Sequence, residues 1–150
     1  MKETTKVLMN TLNERIKQDT DILCSMKGIG ENTAMNFLIE IGWAVGIYEN
    51  DKKLIATSGL DPSTYESGKY AGKSRISKRG NRHLRRVIWL RATRVIINKK
   101  DLFKSYFKKR KQDGLPYKKA ILATAPELIR IVFVMLNGKT CFVEGGIQYS

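Results

Sequence analysis

Apolar residues recur at intervals of three or four along most of this chain, and each such run predicts a helix. Leu8, Leu12, Ile16 and Leu23 stand near helical spacing with polar residues between them, so a helix with one narrow apolar stripe is expected from Met1 to about Ser25. A stripe that narrow requires a partner, either a second copy of the chain or another domain. In "MKGIGENTAMNFLIEIG", Gly28-Ile29-Gly30 precedes a second helix whose apolar face is Ala34, Phe37, Leu38 and Ile41. A short helix from about Asp51 to Thr57 follows and ends at "SGLDPS", where Gly and Pro both oppose continuation.

No period is visible from Asp61 to Gly80, and a loop of about twenty residues is longer than compact domains carry without a functional reason. Asn81 then caps a helix with Leu84, Val87, Ile88, Val95 and Ile96 on one face and Arg82, Arg85 and Arg86 toward the other. Asp101 caps "LFKSYFKKRKQD", which Gly114 terminates. The final helix runs from about Pro116 to Leu136, and Pro126 inside it is expected to kink or split it. The fold class is therefore all-α: helix-hairpin-helix, a long basic loop, then a small helical bundle. The organisation expected is an N-terminal helix over 1–22, a main domain over 23–138 and a tail over 139–150.

Charge changes the picture. Hydrophobic residues make up 42% of the chain, enough for a core in one domain of 150 residues. The formal net charge is +14, but it is unevenly placed. Between Lys69 and Lys119 stand 19 Lys or Arg against only Asp101 and Asp113, while the remainder is slightly acidic. Such a field favours a polyanion, because neutralising each phosphate releases condensed counterions, and nucleic acid is the first expectation. With no uninterrupted apolar run of about 18 residues and no signal-peptide pattern, a membrane is not expected as partner and the location expected is cytoplasmic. Cys24 and Cys141 lack CxxC spacing and read as buried small apolar residues. Trp43 and Trp89 read as core or hinge packing, Tyr65 and Tyr70 as packing or as stacking surfaces for unpaired bases, and "KKRKQD" as a solvated helix face.

Two stretches carry candidate chemistry. Gly28 and Gly30 let the chain turn sharply and leave N–H groups exposed at a helix start, which suits a phosphate oxygen beside Lys27; the alternative is an ordinary turn between helices. Ser67 stands between Glu66 and Gly68, ahead of Lys69, Lys73, Arg75, Lys78, Arg79 and Arg82. A hydroxyl nucleophile in phosphoryl transfer needs the scissile phosphate held in line and its charge neutralised, which these cations could do. On the residues alone, a nucleophile and a merely solvated loop serine both stay open. The single histidine, His83, makes a Ser-His-Asp arrangement improbable. The carboxylates near the loop, Asp61 and Glu66, are too few for a two-metal centre, so no metal site is assigned to this chain.

The residues from about Leu23 to Gly138 resemble the C-terminal domain of transposases of the insertion-sequence one-ten family, which includes Piv-type DNA invertases and bridge-RNA-guided recombinases. The resemblance rests on "MKGIGENTAMNFLIEIG", "SGLDPSTYESGKYAGKSRISKRGNRHLRR" and "KKAILATAPELIRIVFVML", in that order. It implies that Ser67 is the nucleophile of DNA transposition by transesterification, through a phosphoserine link. It further implies that Gly28 and Gly30 form a DNA-gripping hairpin, and that Lys73 to Arg86 is the basic contact region. Family members hold Mg²⁺ on an N-terminal RuvC-like domain; nothing like it precedes Met1, so the chain is expected to be incomplete alone as an enzyme and to bind no cofactor itself. Expected partners are DNA, a guide RNA, and a second copy through the first helix. At "TAPEL" the family tends to have a basic pair, where this chain has Pro126 and Glu127. The alternative function is a non-catalytic helix-hairpin-helix binding protein or an inactive transposase remnant.

Overall fold

The computed structural model describes residues 2–63, 66–67, 70–71, 75–76, 79–97, 102–143 and 146–147, with side chains described over 2–61, 79–94 and 103–143. Among the described residues there are six α-helices: α1 (Lys2–Cys24), α2 (Glu31–Glu40), α3 (Asp51–Ser58), α4 (Arg82–Ile97), α5 (Leu102–Gln112) and α6 (Tyr117–Gly138). A 3-10 turn, Val45–Ile47, joins α2 to α3. The all-α class is thus what the chain forms.

The core collects around α6, which packs against α4, α5, α1 and α3. Ala120, Ile121, Thr124, Ala125, Leu128, Ile129, Val132, Met135 and Leu136 are its buried positions, and their spacing covers one broad face. Among the described residues α6 is the one helix long and apolar enough to cross a membrane by composition, and this buried face is what that apolar content packs against its neighbours. Pro126 does not split it: the helix is continuous through Gly138. The proline removes one backbone donor, a cost of roughly 3 kcal/mol in an isolated helix, which the burial of nine residues offsets. Glu127 pairs with Arg130, whose Nε also reaches Asp51 Oδ2 at 3.2 Å and ties α6 to the start of α3.

Short helices are fixed by their ends. In α3 the Asn50 Oδ1 accepts from Lys53 N–H at 3.0 Å, and Gly59 closes the helix in the left-handed region at φ 69°. In α4 the Asn81 Oδ1 accepts from both His83 N–H and Leu84 N–H, as the sequence predicts. The Asp101 cap lies outside the described residues, and so do the side chains of Val95 and Ile96. In α5, Phe103 is buried, Phe107 meets Tyr117 edge to face at 5.5 Å, and Lys108, Lys109 and Lys111 are exposed.

Several expectations need correcting. Cys141 is exposed and Cys24 only half-buried, so neither is the sealed apolar thiol expected. Trp43 is 37% exposed and has φ 66°, whereas Trp89 does pack against the core. The stretch from Asp61 to Gly80 is not a plain loop. Its backbone forms two antiparallel ladders, one pairing β1 (Pro62–Ser63) with β4 (Arg75–Ile76), the other pairing β2 (Glu66–Ser67) with β3 (Tyr70–Ala71). The second lies within the first in sequence, so a β excursion leaves the helical body after Gly59 and returns at Gly80. A third such pair, β5 (Phe142–Val143) with β6 (Gly146–Ile147), follows α6, and Phe142 N–H donates to Ser25 Oγ at 2.8 Å.

Candidate nucleic-acid interface

The turn between α1 and α2 is anchored from beneath. Leu23, Met26 and Ile29 are buried, and Ile29 N–H donates to Met26 O at 3.0 Å, so the turn is held by an apolar knob on each side of Lys27 and Gly28. Gly28 sits at φ 86°, a conformation that favours glycine. Gly30 differs: as the N-cap of α2 it has φ −81°, and a Cβ there would meet nothing within 4 Å. Glycine at 30 is therefore not a backbone requirement; it leaves open space over the first turn of α2, whose N–H groups have no partner within the helix. Glu31 occupies that same turn and opposes an anion there.

Under the turn lies Arg91, 4% exposed, with Nη2 3.4 Å from where a Cβ on Gly28 would stand. Sequence reasoning missed this residue, yet the signal was present: Arg91 is seven positions after Leu84 and three after Ile88, on the buried face of α4. The same guanidinium lowers the pKa of the Cys24 thiol, but burial first, then Asp21 and Glu31, outweigh it and hold that pKa above its ordinary value.

At its other end α4 meets the far end of α2. Asn81 Nδ2 donates to Glu40 Oε2 at 2.6 Å, and Asn81 N–H donates to Thr57 O at 2.7 Å. Since Arg91 lies at the start of α2 and Asn81 at its end, the two helices run antiparallel. Gly80 makes this junction: its φ is 153°, and a Cβ would fall 2.4 Å from Thr57 O and 2.9 Å from Gly59 N. No sequence signal separates this glycine from others in a basic loop, because its obstruction is 23 positions away in the chain.

The structure sorts the candidate residues as follows. Arg79, Arg82 and Arg86 are exposed where the excursion returns into α4, with His83 beside them and Arg94 further along. Arg85, expected with them, is half-buried and donates from Nη1 to Ser58 O at 3.2 Å, capping α3 rather than facing outward. Lys27 is exposed at the opposite end of the α2–α4 pair. Thr33 and Asn36 of α2 and Val87, Leu90 and Arg94 of α4 line a shallow cleft of about 100 Å³ between the ends. Ser67 stands in β2 opposite Tyr70, the last paired residue before the chain reverses; its side chain and that of Arg75 lie outside the described residues, as do Lys69, Lys73, Lys78 and Tyr65. Among the described residues no group of three or more His, Cys, Asp or Glu could hold a metal ion.

The geometry defines a basic helical module, with a glycine turn at one end of the α2–α4 pair and a β excursion at the other. The sequence comparisons narrow it. The model of the Transposase IS116/IS110/IS902 family matches residues 20–108, and the chain belongs to that family. It is 28% identical over 121 residues to an insertion element IS110 protein of Streptomyces coelicolor, covering 81% of this chain and 29% of that one. It is 26% identical over 128 residues to an IS900 protein of Mycobacterium paratuberculosis, covering 84% and 32%. The pilin gene-inverting protein of Moraxella bovis matches at 28% over 117 residues, covering 77% and 36%. The chain thus spans about a third of the length of these relatives.

Proposed function

We propose that this chain is the serine-bearing, DNA-binding part of a transposase, the C-terminal portion by its resemblance, acting in phosphodiester transesterification. Ser67 Oγ attacks a backbone phosphorus; the P–O bond to one deoxyribose breaks as the Ser67–P bond forms. The serine proton goes to a base, and the departing sugar oxygen takes up a proton to leave as a hydroxyl. The phosphodiester is kept as a phosphoserine link, so the strand can be rejoined by the reverse attack. Arg79, Arg82 and Arg86 neutralise the backbone beside the excursion, and the turn at Lys27–Gly30 holds it at a second point, in the manner of a helix-hairpin-helix. The rise along α4 from Arg82 to Arg91 is about 14 Å at about 1.5 Å per residue, so the two points of contact fall on separate phosphates. Carboxylates for Mg²⁺ would come from another domain of the transposase. A guide RNA would lie along the same basic face, and a second copy or that other domain against the exposed Val7, Leu8, Met9 and Leu12 of α1.

The observation that carries the reading is the place of Ser67 at a chain reversal in an excursion rooted beside exposed Arg79 and Arg82, within a chain of a transposase family. The test joins this chain to the rest of a family transposase and traps covalent adducts on a nicked suicide substrate. An adduct lost in Ser67→Ala, with duplex binding unchanged, is expected. An adduct that survives Ser67→Ala removes the serine from the mechanism and leaves a binding module.

A further inference from the structure

We infer that the cleft between α2 and α4 seats one backbone phosphate of the DNA, with the buried Arg91 at its inner end and Asn36 and Arg94 at its lip; this rests on the DNA-binding reading above. Thr33 and Asn36 stand a helical turn apart on α2, and Val87, Leu90, Arg91 and Arg94 recur within two turns of α4, so both sets line one groove. Of the six, Arg91 is the buried one, at 4% exposure, while Asn36, Leu90 and Arg94 are exposed and Thr33 and Val87 half-buried. Arg91 therefore forms the inner end. The cleft measures about 100 Å³. At about 30 Å³ for each water, that is the room of a single phosphate group and not of a base.

The lining has the chemistry of an anion site. Two guanidiniums, each a planar fork of N–H donors without an acceptor, share the cleft with an amide and a hydroxyl. None of the described residues that line it is acidic. Arg91 also borders an enclosed apolar cavity with Leu23, Ile29, Phe37 and Ile88, so its charge stands in a low-dielectric setting. There its attraction for an anion is stronger, and less screened by salt, than that of an exposed cation. Its Nη2 lies 3.4 Å from the Cβ position of Gly28, so one guanidinium both supports the turn and faces the cleft. Location selects a nucleic-acid phosphate over a carboxylate of a protein. Arg82, Arg86, Leu90 and Arg94 fall at every fourth position of α4 and are all exposed, a stripe that rises about 18 Å from end to end. A strand that meets Arg82 and Arg86 and continues to the turn at Lys27 passes over the cleft. Leu90, 47% exposed between two arginines of that stripe, then meets the deoxyribose carbons beside the seated phosphate, which gives an apolar residue a place in a cationic row.

Arg91 belongs to the core, so the test enters from the exposed side and uses the full chain. Asn36→Leu fills the cleft without changing the net charge, and because leucine is the better helix former the melting temperature should hold or rise. Duplex affinity is expected to fall about tenfold, and the slope of log K against log salt to flatten by about 1. Arg94→Gln should act alike. The two together should lose no more than either alone, because both release the same phosphate. Asn36→Asp keeps the size of the side chain and puts a carboxylate in the cleft, so its loss should exceed that of Asn36→Leu. Parental affinity and slope in a folded Asn36→Leu or Asn36→Asp, or additive losses in the double variant, overturn this inference alone, since the parent still binds duplex. Association with the rest of a family transposase that weakens in Asn36→Leu while DNA affinity holds gives the cleft to a protein carboxylate and overturns it as well. A parent that binds no duplex overturns the DNA-binding reading together with it.

Discussion

Two glycine-bearing reversals stand at opposite ends of the α2–α4 pair, and they are built in contrary ways. The turn at Lys27–Gly30 is pinned by the buried Met26 and Ile29 and rests on the buried Arg91, so its shape is part of the core. The excursion between Gly59 and Gly80 is secured where it leaves and re-enters the helical body: by Gly80 pressed on Thr57 O, and by Asn81 bonded to Thr57, Glu40 and the first N–H groups of α4. A reversal that must hold a fixed shape is encoded by apolar residues. The second is held instead at the two ends where it joins the helices.

The anchorage gives the largest predicted effect. Gly80→Ala places a Cβ against backbone that cannot move aside, and a loss of about 3 kcal/mol is expected, near 10 °C in Tm for a domain of this size. Thermal unfolding followed by circular dichroism reads this directly; a Tm within 2 °C or so of the parent would mean the junction is not rigid. Asn81→Ala removes an acceptor for two helix-start N–H groups and a donor to Glu40, with an expected cost of about 2 kcal/mol in urea titration. The first reversal is sharpened by splitting its glycines. Gly28→Ala should cost about 1 kcal/mol because of its φ of 86° and the nearby guanidinium. Gly30→Ala should change stability by less than about 0.5 kcal/mol while weakening DNA binding, since it fills only open space above α2. Equal stability losses at the two positions would erase the distinction.

The smallest effect concerns the thiols. Burial and the neighbouring Asp21 and Glu31 hold the Cys24 pKa above its ordinary value, so its thiolate is scarce at neutral pH, while Cys141 is exposed. Alkylation at pH 7 should therefore label Cys141 about tenfold faster, as peptide mass mapping would show. Labelling at equal rates would mean the end of α1 is more open than this packing.

What the sequence displayed followed from periodicity and caps. The face of α2, the extent of α6, the Asn81 cap and the stop at Gly59 could be read because each is fixed by residues close by in the chain. The β excursion could not: its paired pieces are two residues long, too short for alternation to register, although Gly68 between flanking tyrosines is a hairpin cue. Gly80 was illegible for a different reason, because the atom that forbids a side chain there belongs to Thr57. Arg85 was misread as a surface cation since its charge said nothing of the carbonyl of Ser58 within its reach, and Arg91 was overlooked despite standing in register with Leu84. At Pro126 the local rule allows a kink or a split, and the helix, with its buried face, is not split.

The central claim is that Lys27, Arg79, Arg82 and Arg86, brought onto one antiparallel helix pair, grip a DNA backbone. The affinity of the chain for duplex DNA as a function of salt tests it most directly. Log K is expected to fall linearly with log salt with a slope of about −4, near −0.9 for each phosphate neutralised, and Arg82→Ala should flatten that slope by about 1. An affinity that does not change between 50 and 200 mM salt, or a slope untouched by loss of Arg82 and Arg86 together, would contradict the account.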